Sequence, residues 1–181
     1  MNLANKITLL RVLMIPIFMI VLLSGFNYSS YIAALIFAIA SATDGLDGYI
    51  ARSRNQITTF GKFIDPLADK LLVSTALISL VQLGKVPAWI VVIIIAREFT
   101  ITGFRIIAAS EGITIAASSL GKIKTSTQLI AIIALLINNY PFKLIQFPFD
   151  IIMLYISLFF TILSGADYLY KNRHVLKTGH K

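Results

Sequence analysis

The sequence predicts an all-α integral membrane protein, with six transmembrane helices in one domain (residues 1–181) and both termini cytoplasmic. Three observations predict it. Apolar residues make up 57% of the chain and charged residues only 13%, with mean hydropathy +0.85, whereas a soluble domain is about a quarter charged. The apolar residues fall into six runs, each near the roughly 20 residues that a bilayer core requires. The basic residues segregate to one side of those runs.

In order, the expected spans are 7–24, 31–52, 60–82, 87–110, 121–138 and 148–170. The first contains Pro16, and no convincing small-residue cleavage site follows it, so it reads as a span rather than a removable signal peptide. Turn residues separate the rest: Ser24-Gly25, Gly84 through Pro87, and Asn138-Asn139-Tyr140-Pro141. Trp89 reads as an outer interface residue. The chain has no cysteine, which removes disulfides and thiolate chemistry. Its two histidines, His174 and His180, lie in the tail and read as solvated.

Orientation follows from the lysines and arginines. Placing the N-terminus, the 52–62 turn, the 105–124 region and the tail on one side collects fourteen of the sixteen, leaving Lys85 and Lys143 opposite. The positive-inside rule makes that side cytoplasmic. The formal charge of +8 is thereby explained by topology and anionic lipid rather than by nucleic acid. The tail Lys171–Lys177 reads as a surface anchor.

Four of the eight acidic residues lie between Asp44 and Asp69. Asp44, Asp47, Gly48 and Ala51 follow i, i+3, i+4, i+7, one face of a helix. Gly61, Asp65 and Asp69 follow i, i+4, i+8 on the next. A turn near Arg54–Thr58 would set the two stripes side by side, with the carboxylates roughly 6–10 Å inside the helix ends. Four uncompensated carboxylates would repel one another. Divalent cations relieve this, and an all-oxygen set suits Mg²⁺, Mn²⁺ or Ca²⁺ better than zinc.

The pattern D-x2-D-G-x2-A-R-x8-G-x3-D-x3-D, matched at every fixed position, resembles the signature of the CDP-alcohol phosphotransferases, membrane enzymes of phospholipid synthesis that form homodimers. The resemblance implies that Asp44, Asp47, Asp65 and Asp69 hold a pair of Mg²⁺ or Mn²⁺ ions. It implies that Asp69 is the general base, and that Gly48, Ala51, Arg52 and Gly61 receive the nucleotide of CDP-diacylglycerol. For Gly48 and Gly61 the plainer reading is close helix packing. For Arg52 it is an interfacial charge.

A second polar set follows. Arg97-Glu98 and Gly103-Phe-Arg105 lie on the fourth helix, and Gly121-Lys122-Ile-Lys124-Thr125 opens the fifth. Arg97 falls near mid-membrane, where an ionisable residue marks function by default. Glu98 and Arg105, seven apart, share a face and would pair or share a site. The set resembles the branch of the family that makes phosphatidylglycerol phosphate, as do Tyr49 and the N-terminal Asn5, Thr8 and Arg11 with Pro16. Lys62, Arg97, Arg105, Lys122 and Lys124 are therefore candidates for the acceptor phosphate. Asn5, Thr8 and Arg11, three apart on one helical face, are candidates for the border of the donor or acceptor pocket, with Asn5 and Thr8 assigned to the donor. The plainer readings are a buried ion pair, a cytoplasmic helix end and a capped helix start.

The expected reaction joins CDP-diacylglycerol to sn-glycerol 3-phosphate in a bacterial plasma membrane, with the active site facing the cytoplasm. Inositol phosphate, serine and phosphatidylglycerol are alternative acceptors, and the cationic set disfavours serine. A divalent-cation transporter is the alternative of another class. It lacks an acidic counterpart on the outer side, where Asp150 stands alone.

Overall fold

A computed structural model describes the backbone of residues 3–53, 59–113, 115 and 118–173, and the side-chain surroundings of residues 7–43, 67–113, 115 and 118–173. Six α-helices appear: α1 Leu3–Leu23, α2 Ser29–Ser53, α3 Thr59–Gln82, α4 Ala88–Ser110, α5 Ser119–Leu136 and α6 Phe149–Lys171. A short 3-10 turn, Phe142–Ile145, precedes α6. There is no strand among the described residues. The expected Arg54–Thr58 turn lies outside them.

The ends of three helices are built alike. After Gln82, Gly84 takes a left-handed φ of +70°. Its N–H reaches the Val81 carbonyl (2.9 Å), and the N–H of Lys85 reaches that of Leu80 (2.9 Å). This is a Schellman closure, which satisfies carbonyls the helix leaves open. Gly112 repeats it after α4, with Ile113 N–H on Ala108 (2.8 Å). Asn138, at φ 55°, repeats it after α5, with Asn139 N–H on Ala134 (2.8 Å). Asparagine tolerates the left-handed region better than most residues.

Packing places α1 against α2 and α3, and α6 against α4 and α5, with α5 also touching α2 and α3. The main apolar cluster includes Phe18, Phe37, Leu77, Leu80, Ile90, Ile94, Ile132 and Leu135, and Arg11, Thr8 and Ser79 are buried as well. A smaller cluster of Ile101, Phe104, Ala108 and Tyr168 joins α4 to α6 nearer their C-terminal ends. The outer surface is also apolar. Ile20, Leu35, Val92, Ile106 and Phe159 are each more than 60% exposed. A water-facing surface would carry a continuous cost for this, whereas a lipid-facing one does not. α5 and α6 are long and apolar enough to cross a bilayer, at mean hydropathy 1.2 and 1.9. The apolar exterior and these two helices suit a membrane protein, and several charged groups, among them Arg97, Glu98 and Lys124, are drawn inward.

Candidate active site

Those polar groups surround an open cavity of about 500 Å³ between α3, α4, α5 and α6. From α3 come Asp69 and Lys70, from α4 Arg97, Glu98, Ile101, Thr102 and Arg105. From α5 come Ser118, Gly121, Lys122, Thr125 and Ser126, and from α6 Tyr168. Asp69 lies ten residues into α3, roughly 15 Å along it and deeper than the about 6–10 Å expected, because α3 already begins at Thr59. Four cations and two carboxylates thus line the wall, an excess of positive charge suited to an anion.

The floor is an ion network. Glu98 Oε1 accepts from Arg97 Nη1 at 3.1 Å and from the ammonium of Lys124. Lys70 donates to Thr102 Oγ1, which donates to the Glu98 carbonyl (2.7 Å). Arg97 also reaches α6, giving Nη2–H to Ser164 Oγ at 2.9 Å. Arg105 Nε donates to the Tyr168 hydroxyl at 3.2 Å, with the guanidinium 5.5 Å from the ring centroid. Ser118 caps α5 by accepting from Gly121 N–H (3.1 Å), so the first turn of α5 presents the positive end of its dipole to the cavity.

Several expected site residues meet here. Asp69, Arg97, Arg105 and Lys122 line one space. Lys124 does not line it. Only 4% exposed, Lys124 lines an adjoining crevice of about 30 Å³ with Gln128 and Ser74. Glu98 shares the cavity with Arg105, but its ion partners are Arg97 and Lys124. Thr8 is 1% exposed and does not line the cavity. Asp44, Asp47, Gly48, Ala51 and Arg52 fall within α2, and Gly61, Lys62 and Asp65 within α3. Their side chains, and that of Asn5 in α1, lie outside the described residues. α2 and α3 pack against each other. Sequence reasoning missed Tyr168, Ser164 and the helix start at Ser118. A tyrosine one turn beyond a Ser-Gly pair on one face was the available signal.

A bundle of helices around a cavity lined by charged side chains suits an enzyme that acts on a charged group, and residues 1–163 match the family described as CDP-alcohol phosphatidyltransferase. The chain belongs to that family. It is similar to the CDP-diacylglycerol–glycerol-3-phosphate 3-phosphatidyltransferase of Bacillus subtilis (strain 168), with 51% identity covering 99% of each chain. Relatives of the same name occur in Pseudomonas fluorescens, with 43% identity over 78% of this chain and 75% of the relative, and in Rickettsia felis, with 36% identity over 92% and 93%.

Proposed function

We propose that the chain transfers the phosphatidyl group of CDP-diacylglycerol to sn-glycerol 3-phosphate, giving phosphatidylglycerol phosphate and CMP. The observation that carries the reading is the position of Asp69 on the wall of a cationic cavity, in a chain whose relative of that name is 51% identical along its whole length. A phosphate held by Arg105, Lys122 and the start of α5 leaves the glycerol end of the acceptor free to reach Asp69.

In this reading Asp69 takes the proton of the attacking glycerol hydroxyl. The new oxygen–phosphorus bond forms at the phosphorus bearing diacylglycerol, the bond to the bridging oxygen breaks, and CMP carries away that electron pair. Gly48, Ala51, Arg52, Gly61, Asn5 and Thr8 are assigned to the donor. Lys62, Arg97 and Lys124 complete the cationic surroundings of the acceptor, with Lys124 acting through Glu98.

Asp44, Asp47, Asp65 and Asp69 are the residues that would hold divalent metal. Supporting this are the two carboxylates on each of two packed helices and the hard all-oxygen chemistry of the set. Mg²⁺ or Mn²⁺, as a pair, would neutralise the donor pyrophosphate and the charge developing in the transition state. The same reading assigns six spans, cytoplasmic termini and active site, a homodimer, and a bacterial plasma membrane. The lipid-facing apolar surface and the sidedness of the basic residues support it.

An acceptor panel tests the proposal. Purified protein in detergent receives CDP-diacylglycerol, Mg²⁺ or Mn²⁺, and one acceptor at a time, with CMP release and lipid products followed by mass spectrometry. Product with sn-glycerol 3-phosphate alone is the expected result. Product with serine, inositol phosphate or phosphatidylglycerol instead would overturn the acceptor assignment.

A further inference from the structure

Arg105 differs from Arg97, the other arginine of the cavity. Arg97 and Lys124 have a carboxylate partner in Glu98. Arg105 has none among the described residues, and its contacts there are to a phenol. Tyr168 is 3% exposed, and its ring is fixed edge-on by Phe104 at 5.9 Å between centroids. Its hydroxyl accepts from Arg105 Nε at 3.2 Å while its face lies beside the guanidinium. The bond engages Nε and leaves both Nη groups without a partner among the described residues.

The chemistry of the partner matters. A carboxylate at position 168 would orient Arg105 but neutralise it. A phenol orients it through one neutral hydrogen bond and the ring quadrupole, so the positive charge remains for a ligand. An unheld arginine gives up about 2 kcal/mol of rotamer entropy when it is fixed. Holding it beforehand removes much of that cost from binding.

We propose that Tyr168 is a positioning residue that holds Arg105 with its two Nη groups presented to the phosphate of the acceptor. The inference rests on the acceptor reading above and adds a residue to it from a helix that supplies no other cavity wall.

The test is a steady-state comparison of Tyr168→Phe, Arg105→Gln and the double variant, each titrated with sn-glycerol 3-phosphate and, separately, with CDP-diacylglycerol. Loss of one hydrogen bond predicts that Tyr168→Phe raises KM for sn-glycerol 3-phosphate by about fivefold. KM for CDP-diacylglycerol and kcat should move much less. Arg105→Gln should raise the same KM further, and adding Tyr168→Phe to it should change nothing more, because the hydroxyl acts only through the guanidinium. KM does not depend on the fraction of protein that is folded, so a poorly folding variant still reports. If Arg105→Gln raises this KM and Tyr168→Phe does not, or if the two effects add, the positioning role is overturned and the acceptor reading stands. If Arg105→Gln leaves this KM unchanged, Arg105 does not hold the acceptor phosphate and the inference fails, while the acceptor assignment, read from the lipid product, stands.

Discussion

Lys124 of α5 delivers its ammonium to the carboxylate of Glu98, twenty-six residues earlier on α4. The lysine is 5% exposed at its side chain and the glutamate 21%. A charge so placed is tolerable only while its partner remains. The pair therefore ties α4 to α5 beneath the cavity and fixes the level at which its cations sit.

Removing one partner should cost more than removing both. Glu98→Gln strands Lys124 and also takes a partner from Arg97, so a loss of about 3–5 kcal/mol is expected. Lys124→Met should cost less, because Glu98 keeps Arg97 Nη1 at 3.1 Å. The double variant Glu98→Gln with Lys124→Met should be more stable than Glu98→Gln alone. Thermal unfolding of the four proteins in one detergent measures the cycle. A double variant at or below the stability of Glu98→Gln would sink the interpretation.

Asp69→Asn keeps the shape of the side chain and removes its basicity. Turnover should fall by roughly a hundredfold to ten-thousandfold, the range for losing a general base. Binding of CDP-diacylglycerol, measured by calorimetry without acceptor, should persist. Turnover close to that of the unmodified enzyme would remove Asp69 from the base role.

Gly165 lies against Arg97. A Cβ built on it would stand 3.1 Å from Arg97 Cγ and 3.6 Å from Nε. Gly165→Ala should shift the arginine by a few tenths of an ångström and strain its bonds to Ser164 Oγ (2.9 Å) and Glu98 Oε1 (3.1 Å). The side chain is flexible, so the fold should lose less than about 1 kcal/mol. Misplacing a group in the site should cost more, about tenfold in kcat/KM for sn-glycerol 3-phosphate. A loss of stability with intact kcat/KM would reverse this assignment.

The helices were legible in the sequence because apolar runs of bilayer length are long signals. The largest discrepancy is the start of α1, at Leu3 rather than residue 7, since Asn5 and Lys6 extend the helix without being apolar. α5 stops at Leu136 rather than 138 because Asn138 turns left-handed. Arg97, Arg105 and Lys122 were legible because charge within an apolar run is conspicuous. The pairing of Arg97 with Glu98 was legible from their adjacency, but the second partner of Glu98 was not. Spacing along α4 made Arg105 a candidate, but Lys124 arrives from another helix, and no periodicity within one helix reports a contact between two. Tyr168, Ser164 and Gly165 were hidden for a different reason. Single tyrosines and small residues are ordinary in an apolar helix, and only the arrival of two arginines gives them roles.

Lys85 offers a test of the far end of the bundle, away from catalysis. It lies sixteen residues beyond Asp69, in the turn between α3 and α4, and its ammonium donates to the Leu135 carbonyl (3.1 Å) and to Asn138 Oδ1 (2.6 Å). It thereby ties that turn to the end of α5. Lys85→Met should cost about 1 kcal/mol at neutral pH and leave kcat and both KM values unchanged. Burial lowers the Lys85 pKa below the ordinary lysine value, opposed by the Asp150 carboxylate. The folded protein then binds fewer protons than the unfolded chain in the window between that lowered value and about 10.4. Stability should therefore rise as pH increases through the window, and the penalty of burying the charge is fully present below it. Unfolding temperatures of the two proteins at pH 8 and pH 10 measure the effect. The unmodified protein should gain relative to Lys85→Met at the higher pH, and an equal or opposite change would show that burial does not govern this lysine.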